Sequence, residues 1–123
     1  MSTTHRTVIV TGAAGNLGKA VAHAFAGLEA NLVLVDLERE SLSRAFESEN
    51  ARRVFVAANL LDMAGATAIA QAAVARFGRI DVLCNIAGGF RMGPAVHETS
   101  DADWDFLFDI NARTLLHAVR AVL

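Results

Sequence analysis

Four short apolar runs, Thr7–Val10, Leu32–Val35, Val54–Ala57 and Val82–Cys84, are separated by longer stretches with helical spacing. Each run is rich in Val, Ile, Leu or Phe and nearly continuous. That is the pattern of strands buried on both faces of a parallel sheet. Between them Leu17–Leu28, Glu40–Glu49 and Met63–Phe77 read as helices. In the last of these Ala66, Ile69, Ala70, Ala73, Val74 and Phe77 recur at three- and four-residue spacing and form one apolar stripe. Gly27 and Gly78 fall near helix ends, where a residue tolerating positive φ is favoured. The β-α-β-α-β-α-β order predicts an α/β fold, an open parallel sheet with helices on both faces.

The final stretch behaves differently. Ser100-Asp101-Ala102-Asp103 puts a capping hydroxyl before a helix, with a carboxylate three residues on. From there Trp104, Leu107, Phe108, Leu115, Leu116, Val119 and Val122 supply an apolar face that runs to Leu123 with no capping residue after it. No linker, low-complexity tract or charge block divides the 123 residues. The expectation is one domain over 1–123, truncated inside its last helix. Trp104 reads as core or subunit interface.

Composition excludes several function classes. Hydrophobic residues make up 54%, charged residues 20%, and there is a single Pro, which excludes a disordered chain. With 11 Lys+Arg against 13 Asp+Glu the net charge is -2, which gives no electrostatic reason to expect nucleic acid or an anionic membrane as partner. Cys84 is the single Cys and cannot form an internal disulfide; in a buried strand it reads as a small apolar residue. The start Met1–Arg6 is polar, and no window approaches the roughly 20 apolar residues of a membrane span. A cytoplasmic location is expected. His5, His23, His97 and His117 share no metal-ligand spacing. Asp101, Asp103 and Asp105 imitate the start of a calcium loop, but Phe106 and Ala112 stand where its Gly and Glu belong. No metal site is expected, and those carboxylates suit a helix N-terminus.

The first chemistry-bearing segment is Thr11-Gly12-Ala13-Ala14-Gly15-Asn16-Leu17-Gly18, directly after the first strand and opening the first helix. Glycines there let the backbone turn tightly and approach a diphosphate, while the helix N-terminus offers free N–H groups and partial positive charge. Asp36 ends the second strand 18 residues after Gly18, with Leu37 beside it. This is close to the roughly 20-residue offset at which a carboxylate receives the adenosine ribose hydroxyls. A carboxylate there repels a 2′-phosphate, so NAD is preferred over NADP. Arg39 blurs this, because an arginine in that loop could receive a phosphate. Phe90, Arg91 and Met92 could line a substrate mouth or serve equally as loop packing.

These segments together resemble the short-chain dehydrogenase/reductase family. The resemblance runs from Thr7 to Leu123 and covers about the N-terminal half of a usual member. It is carried by the Thr11–Gly18 loop, Asp36, the segment Asp81-Val82-Leu83-Cys84-Asn85-Ile86-Ala87-Gly88, and Asn111. It implies a Rossmann-like doubly wound sheet, ordered 3-2-1-4. The Asn85-Ile86-Ala87-Gly88 stretch is similar to the family's Asn-Asn-Ala-Gly signature with one Asn replaced by Ile. A physical role fits it: Asn85 can bond backbone across strand ends, while Ala87 and Gly88 let the chain pass close to a ligand.

Three departures stand out. Asn16 replaces a usual Gly, giving the TGxxGxxG spacing of extended, sugar-nucleotide-modifying members; Asn also tolerates positive φ, so the loop can still form. Asn59 replaces a common Asp; its amide can still bond the adenine edge, with Leu60 packing near the ring. Finally, the family's acid–base Tyr with its Lys four residues on has no counterpart, because the chain contains no Tyr. Of the family's catalytic residues only Asn111 carries over, with the implied role of bending its helix and holding a water in the proton relay.

The resemblance implies an NAD(H)-dependent oxidoreductase that transfers hydride between a small-molecule secondary alcohol or carbonyl substrate and nicotinamide. Gly12, Gly15, Asn16, Leu17 and Gly18 would hold the diphosphate, and Asp36 with Leu37 the adenosine ribose. Asn59 and Leu60 would hold the adenine, and Asn85, Ile86, Ala87 and Gly88 the inner ribose region. Without the Tyr-Lys pair the 123 residues alone are expected to be inactive. The alternatives are a dinucleotide-binding half-domain without turnover, or an extended-type epimerase or dehydratase relative. Assembly as a homo-oligomer, dimer or tetramer, through the last helix is also implied. An edge strand at 82–84 and the apolar last helix both need cover.

Overall fold

The computed structural model describes residues 5–123; Met1–Thr4, part of the polar start noted in the sequence, lie outside the described residues. The order is β1 (Thr7–Thr11), α1 (Asn16–Gly27), β2 (Asn31–Asp36), α2 (Arg39–Phe46), β3 (Arg53–Ala57), α3 (Met63–Phe77) and β4 (Val82–Cys84). A short 3₁₀ turn, Val96–Glu98, leads to α4 (Asp101–Phe108), a π-helical turn (Asp109–Arg113) and α5 (Thr114–Val122). All strand pairings are parallel, in the order β3-β2-β1-β4 that the family resemblance implies.

The continuous apolar runs have a direct structural cause. Alternate side chains of each central strand enter two separate cores, one on each face of the sheet. Val8, Val10, Leu32 and Leu34 pack with Ala22 of α1 and Leu42 and Phe46 of α2. Ile9, Val33 and Val35 pack on the other face with Ala66, Ile69 and Ala73 of α3 and Ala118 of α5. Residues 8–10 and 32–35 are buried on both faces of the sheet, so no polar residue alternates among them. β4 lies at the sheet edge with half-buried side chains.

Several boundaries differ from expectation. Gly27 is the last residue of α1 and has no positive φ; that conformation falls on Glu29, at φ 62°. Glu29 N–H donates to Ala26 O and Ala30 N–H to Phe25 O, a Schellman closure in which a non-glycine takes the left-handed position. Gly78 does take it, at φ 78°. α2 ends at Phe46 rather than running to Glu49. Here Arg53 of β3 donates to the Phe46 and Ser48 carbonyls, both at 2.7 Å, so a residue from another element ends the helix. The predicted last helix begins where expected, with Ser100 Oγ accepting the Asp103 N–H, but it is interrupted by the π turn. Trp104 is not core: it is 58% exposed and packs tilted against Phe108 with ring centres 4.7 Å apart.

Candidate functional site

The carboxyl ends of the four strands share one edge of the sheet, and the chain reverses its order there, with β1 between β2 and β4. A cleft of about 780 Å³ opens at that edge, where open α/β sheets bind ligands. Of the cofactor-binding residues expected from the sequence, it gathers Gly12, Gly15, Asn16, Leu17, Gly18, Asp36, Leu37, Asn59, Leu60, Ile86, Ala87 and Gly88 along its walls. Asn85 is left outside. Phe106, Ile110 and Thr114, which sequence reading does not single out for the site, complete the wall from α4, the π turn and α5.

The glycine loop is shaped by close backbone contact. Gly12 has φ +64°, and a Cβ on it would stand 2.9 Å from the Ala87 backbone. A Cβ at Gly18 would run into the Gly12 carbonyl. Gly15 is the extended N-cap of α1, and no side chain caps the helix, so its first N–H groups face the cleft unassisted. Asn16 is simply the first helical residue and takes no positive φ, because Gly12 makes the turn.

Asp36 anchors the next wall. Its Oδ2 accepts the Ala14 N–H at 3.0 Å and its Oδ1 the Leu37 N–H at 2.8 Å, so one carboxylate joins the glycine loop to the end of β2. Both oxygens keep further lone pairs for a ligand hydroxyl. Arg39 points elsewhere. It donates to the Phe55 carbonyl at 3.2 Å and to Glu49 Oε1 at 2.6 Å, and its guanidinium sits 5.6 Å from the Phe55 ring centre. The Phe55 N–H and Arg39 together hold the Glu49 carboxyl below the usual carboxylate range.

Asn59 is exposed at the cleft, its Oδ1 accepting the Leu61 N–H at 3.0 Å. Leu60 is buried in the α3-side core. Leu60 thus reaches the cleft wall from the core layer, and Leu61 beside it is the more exposed of the two.

The Asn85 side chain is exposed and makes no hydrogen bond among the described residues. The bonding across strand ends expected of it belongs instead to Thr11, which is buried. Thr11 Oγ1 accepts the Ile86 and Ala87 N–H groups at 3.1 and 3.0 Å and donates to the Cys84 carbonyl at 3.3 Å. The available signal was a hydroxyl closing an otherwise apolar strand. Burial pushes the Cys84 thiol up, which keeps it protonated rather than nucleophilic.

Asn111 lies within the π turn. Its Nδ2 donates to Gly89 O at 3.0 Å and to Leu107 O at 2.9 Å, and its Oδ1 accepts the Gly89 N–H at 3.1 Å. Arg91 lies 3.7 Å over the Phe106 ring centre and pairs with Asp103 at 2.9 Å, while Phe90 and Met92 are exposed and do not line the cleft. Among the described residues no group of three or more His, Cys, Asp or Glu side chains could hold a metal ion, and no helix is long and apolar enough to cross a membrane.

Known proteins resemble this chain in sequence and in fold. Oxidoreductase UcpA of Escherichia coli K12 is 37% identical over 122 residues, which are 98% of this chain and 46% of that protein. A glucose/ribitol short-chain dehydrogenase/reductase structure from Brucella melitensis superposes with a TM-score of 0.89 at 34% identity, over 95% of this chain and 50% of that one. A 3-ketoacyl-(acyl-carrier-protein) reductase from Brucella melitensis, solved in complex with NADH, gives 0.86 at 25% identity, over 96% of this chain and 49% of that one. The chain thus spans about half the length of the relatives it matches. The short chain dehydrogenase family model matches residues 6–123. The glycine loop, the parallel sheet around β1 and the cleft at its carboxyl edge accordingly have one explanation: the chain belongs to the short chain dehydrogenase family.

Proposed function

We propose that these residues are one dinucleotide-binding unit of an NAD(H)-dependent oxidoreductase acting on a small secondary alcohol or carbonyl substrate. The observation that carries the reading is the Asp36 carboxylate at the cleft with Arg39 turned to Glu49 and Phe55. A cofactor with free ribose hydroxyls meets acceptors there, whereas a 2′-phosphate meets a negative charge with no free arginine beside it. The NADH held by the Brucella melitensis reductase accords with this.

The residues present fit such a cofactor. The uncapped start of α1 and the Gly12 turn leave room and N–H groups for a diphosphate. Leu37 flanks the ribose position and Asn59 presents its amide to the base. Ile86, Ala87 and Gly88 line the opposite end. A bound nicotinamide would supply the hydride acceptor or donor. Asn111 holds the Gly89 backbone in place and, on this reading, keeps one water of a proton relay. No Tyr occurs in these residues, so the reading gives them cofactor binding and leaves proton exchange with substrate to residues outside them. That absence also favours a second reading, a binder without turnover. Exposed Trp104, Phe108, Leu115 and Leu116 support self-association through the last helix, and the single free Cys84 suits a cytoplasmic setting.

The test is a fluorescence titration with NADH and NADPH. We expect NADH to bind at least about tenfold more tightly, and D36N to narrow that gap. Tighter NADPH binding would overturn the assignment. Oxidation of NADH with a panel of small ketones would support the enzyme over the second reading, whereas binding alone is what both readings expect of these residues.

A further inference from the structure

His117 lies on α5, 7% exposed, beside Ala118 in the core layer that also holds Leu60, Ile69 and Ala73. Its Nδ1 stands 2.7 Å from the Leu60 carbonyl. A carbonyl oxygen only accepts, so Nδ1 carries the proton and donates. A leucine would fill this space without the cost of desolvating an imidazole. What the histidine adds is a donor aimed at one backbone oxygen of the turn that carries Asn59.

That turn is held from within as well. Asn59 Oδ1 accepts the Leu61 N–H, and the Asp62 N–H donates to Asn59 O at 3.2 Å. His117 supplies its tie to α5. The same continuous helical segment carries Asn111, which bonds Gly89 on the far rim, and Thr114, which lines the wall between. One segment therefore grips both rims of the cleft through two polar side chains.

We infer that His117 is a positioning residue for the base-binding rim, holding the Asn59–Leu61 turn where the Asn59 amide meets a purine edge. The inference rests on the dinucleotide reading of the cleft. Two variants separate its parts. H117L keeps the volume and removes the donor, whereas H117N keeps an N–H donor where Nδ1 stands.

The experiment is a fluorescence titration of wild type and both variants with NADH and with reduced nicotinamide hypoxanthine dinucleotide, which differs at the purine edge alone. We expect the wild type to distinguish the two. H117L should bind NADH about tenfold more weakly and lose most of the discrimination, and H117N should recover it to within about threefold. A purely structural role would lower both affinities alike and leave their ratio unchanged, which would overturn the inference. So would an H117L that binds NADH within twofold of wild type, or a wild type blind to the base. Should H117L fail to fold, H117N and ring-nitrogen NMR of the wild type decide: an Nδ1–H proton that shifts on adding AMP supports the role, and an Nε2-protonated tautomer overturns it. A wild type that binds neither dinucleotide would instead remove the dinucleotide reading, and this inference with it.

Discussion

Asn111 and Gly89 are bonded in both directions: the Asn111 amide donates to the Gly89 carbonyl at 3.0 Å and accepts the Gly89 N–H at 3.1 Å. A carboxamide is the side chain whose donor and acceptor match a peptide group in this way. Replacing it by Asp keeps the acceptor but loses the donors to Gly89 O and Leu107 O. We expect N111D to cost about 1–2 kcal/mol by urea denaturation and to increase hydrogen exchange at Gly89. An unchanged exchange rate at Gly89 would refute the clamp.

Thr11 to Val is nearly isosteric, yet it removes one donor and the shared acceptor of two buried-side N–H groups. The expected loss is about 2 kcal/mol, with T11S recovering most of it. Equal stability of T11V and wild type in thermal unfolding would show that water replaces the hydroxyl.

At Gly12 a Cβ meets both a positive φ and the Ala87 backbone. G12A should cost about 2 kcal/mol or more and abolish dinucleotide binding in a calorimetric titration. A stable variant that still binds would mean the loop has another conformation available.

Glu29 holds the left-handed position of a Schellman closure whose bonds are all backbone. E29G keeps those bonds and removes the Cβ penalty, so it should raise stability by about 1 kcal/mol. A lower melting temperature would contradict this.

Asp81 is gripped by both arms of Arg79, at 2.7 and 2.6 Å, and accepts the Thr7 N–H at 2.8 Å. Arg79 first, then Thr7, hold its carboxyl below the ordinary carboxylate value. A pKa depressed on folding stabilises above the unfolded value, and that contribution disappears as pH falls through the folded one. Stability should therefore be flat for this group at neutral pH and decline below about pH 4. D81N should show a shallower acid decline in denaturation midpoints; an identical slope would exclude Asp81 from it.

Much of the architecture is legible in local pattern. Continuous apolar runs identify strands covered on both sides, and their alternation with helical stripes leaves few ways to connect a parallel sheet. The glycines and Asp36 are likewise readable, because the tight turn and the strand end they occupy are local geometry. What local pattern did not reveal depends on partners far along the chain. Thr11 meets Ile86 and Ala87 across 75 and 76 residues, taking over the bonding expected of Asn85. Arg53 ends α2, Arg39 turns from the cleft toward Glu49, and Leu60 goes into the core while His117 reaches its carbonyl across 57 residues. Periodicity states which face a side chain takes, but not which atom it meets there. Hydrogen bonds act over about 3 Å, so their partners were decided only when the sheet register and the seating of α5 brought those atoms together.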